Sequence, residues 1–373
     1  MSIPSNRLTE EVRRHPLLIL SLVCLIAFVL QFIRWDALDM WDRGVWADEA
    51  RFLMTGDPHE FDFLSGYGHP GGPILEGTIA MHTLTSLPEE FAVQWTMAIL
   101  NTILIVGVTV LCYKIRQDLF WVGAAFITVS MNWLYQYATP PSGLAAVLVP
   151  LVVLMTIYLC EYANGARLTG AALWGVVAGA ALATRFDMGV LTSVLFFPFL
   201  VRSLGWRSSA MALLVTIAAF VALDPFMWFM PIQHLRDLVH KITYHYADFQ
   251  QTRLDVGTLC NISLLAGISV LFAVWSVLKR PKDVFVPAVF VWTLLGMTAL
   301  LYAIFLTAHS QAERYYLPIL FVWEILLPLF MLPLIRAPQV RRRVVVPLII
   351  GGLVCYHLVY LSFNALQHLI IYI

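Results

Sequence analysis

The chain has 373 residues, of which 60% are hydrophobic and only 12% charged, and its mean hydropathy is +0.79. A soluble domain carries about 25% charged residues, so this composition excludes an ordinary water-soluble globule and indicates a polytopic membrane protein. The formal net charge is zero, which removes the basic field that nucleic-acid binding needs.

With about 20 apolar residues per crossing, spans are predicted at 16–34, 91–113, 118–137, 143–161, 168–184, 188–202, 208–228, 257–278, 284–307, 316–335 and 344–366. The fold class is therefore all-α, a transmembrane helical bundle of about eleven spans, ten to twelve being acceptable, forming a single domain over 1–373. The first run, Pro16 to Ile33, lacks a small-residue cleavage site after it and reads as an uncleaved first helix. No internal repeat, low-complexity segment or soluble C-terminal domain is expected. Cys24, Cys112, Cys160, Cys260 and Cys355 lie in or beside apolar runs without metal or disulfide spacing, and read as packing residues.

Lys and Arg set the orientation. With a cytoplasmic N-terminus, the short connections on that side hold Arg7, Arg13, Arg14, Lys114, Arg116, Arg167, Arg202, Arg207, Lys279, Arg280, Lys282, Arg336, Arg341, Arg342 and Arg343. Arg34, Arg43, Arg51, Arg185, Arg236, Lys241, Arg253 and Arg314 fall on or near the opposite side. Most of the 23 Asp and Glu also face outward. Acids contribute little to topology, so their crowding points to work done there. The expected location is the plasma (inner) membrane, with the site on its outer side.

Two outward segments are long, 35–90 and 229–256. Loops of that length tend to be functional or disordered, and Trp35, Trp41, Trp46, Phe52, Phe61, Phe63 and Tyr67 in the first suit a membrane interface. Within it, the apolar stretch Pro73 to His82 is too short to span and is predicted as a helix lying along the membrane surface. In the second, Ile232, Leu235, Leu238, Val239 and Ile242 recur at helical spacing and predict an amphipathic interfacial helix. Tyr244, just beyond, can hydrogen-bond a polar ligand.

The chemistry-bearing stretch is Trp46-Ala47-Asp48-Glu49-Ala50-Arg51-Phe52. On a helix Asp48 and Arg51 share a face while Glu49 points elsewhere; a solvated loop with a local ion pair is the plain alternative. Arg185 and Asp187, Asp224 before Pro225, and Glu313, Arg314 and Tyr315 fall at the same outer level. Arginine grips phosphate bidentately and a carboxylate can take a proton from a hydroxyl, so their convergence suits an anionic ligand and an acid–base step. Singly, the arginines read as snorkelling side chains and Asp187 as a helix cap. Gly66 to Pro73 form a tight, partly rigid turn whose glycines permit close backbone approach to a ligand, and His69 in it can bind one. His69, His59 and Glu60 match no metal-ligand spacing, so no metal and no other cofactor is expected.

Asp48-Glu49-Ala50-Arg51-Phe52, then Gly56-Asp57, then His69-Pro70-Gly71-Gly72-Pro73-Ile74-Leu75 resemble the first outer loop of GT-C-fold integral membrane glycosyltransferases. The resemblance is to the branch of protein O-mannosyltransferases and the lipid-A aminoarabinose transferase. Ala183-Thr184-Arg185 and Glu313-Arg314-Tyr315-Tyr316-Leu317-Pro318 also resemble elements of those enzymes, in the same order. The resemblance implies a polyprenyl-phosphate-linked sugar donor and inverting transfer to an acceptor hydroxyl, with Asp48 as general base. Glu49 and Arg51 would orient it or hold the sugar, Arg314 and Arg185 the donor phosphate, and Tyr67 and His69 would line the sugar pocket. His-Pro-Gly-Gly-Pro replaces the family's usual Pro-Pro pair, and without a soluble outer domain the acceptor is expected to be a lipid, glycan or small molecule, or to be brought by a protein partner.

Two other classes stand beside this one: a transporter or flippase for a polar or anionic substrate, and a non-catalytic assembly subunit. The first conflicts with charges gathered at one outer level instead of the membrane midplane.

Overall fold

The computed structural model describes residues 15–36, 40–56, 71–131, 140–161, 167–229, 231–248, 296 and 317–336. Among them every regular element is an α-helix. In chain order these are α1 (Pro16–Asp36), α2 (Met40–Thr55), α3 (Gly72–Thr85), α4 (Glu89–Ile115), α5 (Leu119–Met131) and α6 (Pro140–Glu161). There follow α7 (Arg167–Thr184), α8 (Phe186–Leu204), α9 (Trp206–Ala222), α10 (Phe226–Phe229), α11 (Pro231–Asp248) and α12 (Leu317–Arg336).

Four of these are long and apolar enough to cross a membrane: Pro16–Trp35, Glu89–Ile115, Pro140–Cys160 and Phe186–Leu204. Shorter apolar stretches, Leu119–Met131, Leu168–Thr184, Trp206–Ala222 and Leu317–Leu326, pack with them. Full-length crossings among the described residues are thus fewer than the eleven expected. The predicted spans at 257–278 and 344–366, and all but Gly296 of 284–307, lie outside the described residues.

α6 is the hub. Ala145 to Leu148 and Val152 to Leu154 are all nearly inaccessible, as expected of a helix that is apolar all round and enclosed by others. Trp174 on α7 donates from Nε1 to Thr156 Oγ1 on α6 at 2.8 Å, and Trp121 on α5 donates to the Ile325 carbonyl of α12 at 2.6 Å. These two bonds satisfy buried indole N–H groups that would otherwise cost free energy. Gly175 and Gly179 lie one turn apart on α7, where a Cβ would run into the α9 backbone at Ala212 and Thr216. That spacing of small residues lets two membrane helices approach backbone to backbone. α1 is peripheral: Leu17, Leu18, Leu25 and Ile33 are exposed, while Phe28 and Phe32 hold it to Trp95 of α4 at ring separations of 5.7 and 5.0 Å.

Three expectations change. The 73–82 helix is present as α3, but Ile74 and Leu75 are fully buried in the bundle, so its apolar side meets protein instead of lying on the membrane surface. The span predicted over 208–228 stops at Ala222, because the Leu223-Asp224-Pro225 turn follows and Pro225 has no amide to continue the ladder. The amphipathic helix of the second outer segment runs to Asp248 and takes in Tyr244, whose side chain lies outside the described residues.

Candidate active site at one end of the bundle

α2 folds as a helix because Trp46, Ala47 and Ala50 form a buried stripe, 5%, 1% and 0% exposed. Trp46 and Ala50 join Trp35, Ile74, Leu75, Val93, Met97, Leu144, Ala181 and Phe226 in one apolar cluster at this end. The opposite face presents Asp48 and Arg51, which pair at 3.2 Å across one turn. Arg51 also donates from Nε to Glu89 Oε1 at 3.4 Å and from Nη2 to Oε2 at 3.5 Å, which ties α2 to the start of α4. The Asp48 side chain is 48% exposed, so an incoming group can reach it. Glu49, on the other side of the helix, is completely buried. The water-facing alternative for Glu49 is therefore ruled out.

Arg185 is the one non-helical residue between α7 and α8. Its amide donates to the Ala181 carbonyl and its own carbonyl accepts from Gly189, so both helices cap onto it. The guanidinium is buried and forked onto Asp187, Nε to Oδ1 at 3.1 Å and Nη2 to Oδ2 at 2.9 Å, and Nη1 reaches Ser142 Oγ at 3.2 Å. Asp187 sits in the first turn of α8, where the helix N-terminus favours an acid. Ser142 opens α6, and beside it Gly143 lies against the Trp35 ring and the Arg34 guanidinium. Arg34 itself rests 3.7 Å from the centre of the Trp35 ring.

Asp224 is fully buried in the turn after α9. It accepts from the Phe226 amide at 3.2 Å and is 2.9 Å from His234 Nε2 on α11. Burial pushes its carboxyl up, against the opposite pulls of His234 and the Phe226 and Met227 amides. Glu76 on α3 is pushed up to about 7, first by burial and then by the charge of Asp224.

The structure thus resolves the anticipated convergence into distinct polar groups around one apolar cluster: Asp48–Arg51–Glu89, Arg185–Asp187–Ser142, and Asp224 with His234 and Glu76. Tyr67, His69, Glu313, Arg314 and Tyr315 lie outside the described residues. Sequence reasoning missed Glu89, Ser142, Glu76 and His234 as members. Glu76 carried a usable signal, an acid inside the otherwise apolar run from Pro73 to Met81. Among the described residues no group of His, Cys, Asp and Glu is arranged to hold a metal ion. The chain matches no protein-family model, no curated protein sequence and no solved structure.

Proposed function

We propose that the protein is an integral membrane glycosyltransferase of GT-C type that uses a polyprenyl-phosphate-linked sugar on the outer face of the plasma membrane. The observation that carries this reading is Asp48: a half-exposed carboxylate on a helix anchored by buried residues, held by Arg51 at 3.2 Å, at the end of a bundle of apolar helices. An arginine partner keeps a carboxylate ionised and fixes its direction, and a general base needs both.

The acceptor oxygen attacks the anomeric carbon as Asp48 takes its proton. The bond from that carbon to the phosphate oxygen breaks, and polyprenyl phosphate leaves with the electron pair, inverting the centre. Arg314 stabilises the leaving phosphate; a preorganised cation serves best where charge develops. The Arg185 fork is committed to Asp187, which makes it a positioning residue for the α7–α8 corner. Glu49 supports the motif helix from its buried side, and Tyr67, His69 and Tyr244 contact the sugar or acceptor, a lipid, glycan or small molecule.

Asp48→Asn keeps the size of the side chain and removes the base. With purified protein, a prenyl-phosphate sugar and a crude acceptor fraction, transfer is expected to fall by about 10²- to 10⁴-fold while the protein melts as wild type does. Transfer at the wild-type rate would sink the assignment.

A further inference from the structure

Asp224 is held from two sides: Oδ1 takes the Phe226 amide and Oδ2 meets His234. Glu76 arrives from a third segment, because α3 begins on this turn: a Cβ at Gly72 would strike the Leu223 carbonyl and the Asp224 backbone. Glu76 Oε1 is buried and accepts no hydrogen bond among the described residues. Two carboxylates in a poorly hydrated site do not both ionise readily. A buried carboxylate oxygen without a donor is far costlier charged than neutral. The group is joined to the motif helix as well, since Gly71, one residue before Gly72, lies against the Trp46 ring on α2.

We propose that Glu76, Asp224 and His234 form a proton-binding latch that fastens α11 and the start of α3 to the bundle, and through Gly71 and Trp46 sets the seating of the helix that carries Asp48. With the proton on Glu76, Asp224 keeps its contact with His234 without a second negative charge from Glu76, and the latch is closed. Loss of that proton places a second negative charge beside Asp224. The repulsion falls on the Gly72–Leu223 contact and on the turn that leads into α11. The ordinary carboxyl value of 4.5 rises to about 7 at Glu76. The closed latch therefore holds a proton that the released form gives up between those values, and closure weakens as pH rises through that window.

Other ionisable groups on the packed elements are His82 on α3, Asp48, Glu49 and Arg51 on α2, Glu89 and Glu90 on α4, the Arg185–Asp187 pair, and Arg236 and Asp237 on α11. Arg51 is engaged by Asp48 and Glu89, and Asp237 by Gln233. Among the described residues, His234 is the cation-forming side chain seen in contact with Asp224.

The latch does not depend on sugar transfer, and its test reads structure alone. Amide hydrogen exchange of the purified full chain in nanodiscs, corrected for the intrinsic effect of pH, reports protection of 231–248 and 72–85. In wild type, protection is expected to fall as pH rises from 4.5 to about 7 and to level off above that window, and Glu76→Gln is expected to hold it across the range. A wild-type profile without a step, or the same step in Glu76→Gln, overturns the latch. If Glu76→Gln does not fold, Asp224→Asn decides: removing the neighbouring charge must move the midpoint downward, and an unmoved midpoint overturns it.

Discussion

Arg185, read from sequence as an anion-binding cation, is found engaged by its own neighbours in the protein. Its buried fork is matched to Asp187 with two parallel hydrogen bonds, and Ser142 takes the remaining edge. Breaking such a pair from one side strands a buried charge, which costs about 3–5 kcal/mol. Asp187→Ala is therefore expected to lower thermal stability in detergent sharply. Replacing both partners together with apolar residues should recover much of the loss, because no charge is then stranded. A double variant no better than Asp187→Ala would count against the pairing. Charge type and level were legible here, since an arginine and an acid two residues apart in a short turn announce themselves. The committed fork was not: Ser142 is distant in sequence, and no local pattern says which side of Arg185 it meets.

At the scale of elements, α11 shows why periodicity finds a helix and leaves its facing open. Ile232, Leu235, Leu238 and Val239 predicted one apolar stripe, yet Leu238 is buried at 1% whereas Ile232 and Val239 are 83% and 55% exposed. In a membrane protein both lipid and protein interior accept apolar side chains, so hydrophobicity cannot choose between them. The inward side is instead marked by His234, a polar residue whose partner Asp224 lies on another element. α3 reverses the error, with an apolar face assigned to the surface that packs inside. What seats it is the close approach of Gly71 and Gly72, the former at φ +48 in the left-handed region. Gly72→Ala pushes a methyl into a backbone carbonyl that has little room to move, and overpacking of this kind costs about 1–3 kcal/mol. Gly44→Ala, on α2 with nothing within 4 Å of its would-be Cβ, is expected to be neutral or to gain roughly 0.5–1 kcal/mol. Melting curves of the two variants should shift in opposite directions, and equal losses would refute the contact at Leu223.

For the whole molecule, helix alternation gathers the ends that carry Arg51, Glu89, Ser142, Arg185 and Asp224 into one region. Contacts between distant segments require it: Arg51 with Glu89, Arg185 with Ser142, and Gly72 with Leu223. The opposite helix ends carry Lys114, Arg116, Arg202 and Arg207 on short connections. Short loops rich in Lys and Arg favour the cytoplasm, and the orientation proposed from this charge bias turns the end holding Asp48 outward. The sequence supplied this polarity through charge, and the structure supplies the gathering that charge alone could not show. Thr55 and Arg207, both exposed and at opposite ends, test the orientation directly. In intact cells a membrane-impermeant maleimide is expected to label Thr55→Cys above the background of the unsubstituted protein, and Arg207→Cys only after permeabilisation. The reverse pattern would turn Asp48 toward the cytoplasm and remove the outer-face sugar transfer proposed for it. Hydrogen exchange at the Glu76 latch, by contrast, would read the same in either orientation, because the nanodisc exposes both ends of the bundle to one buffer.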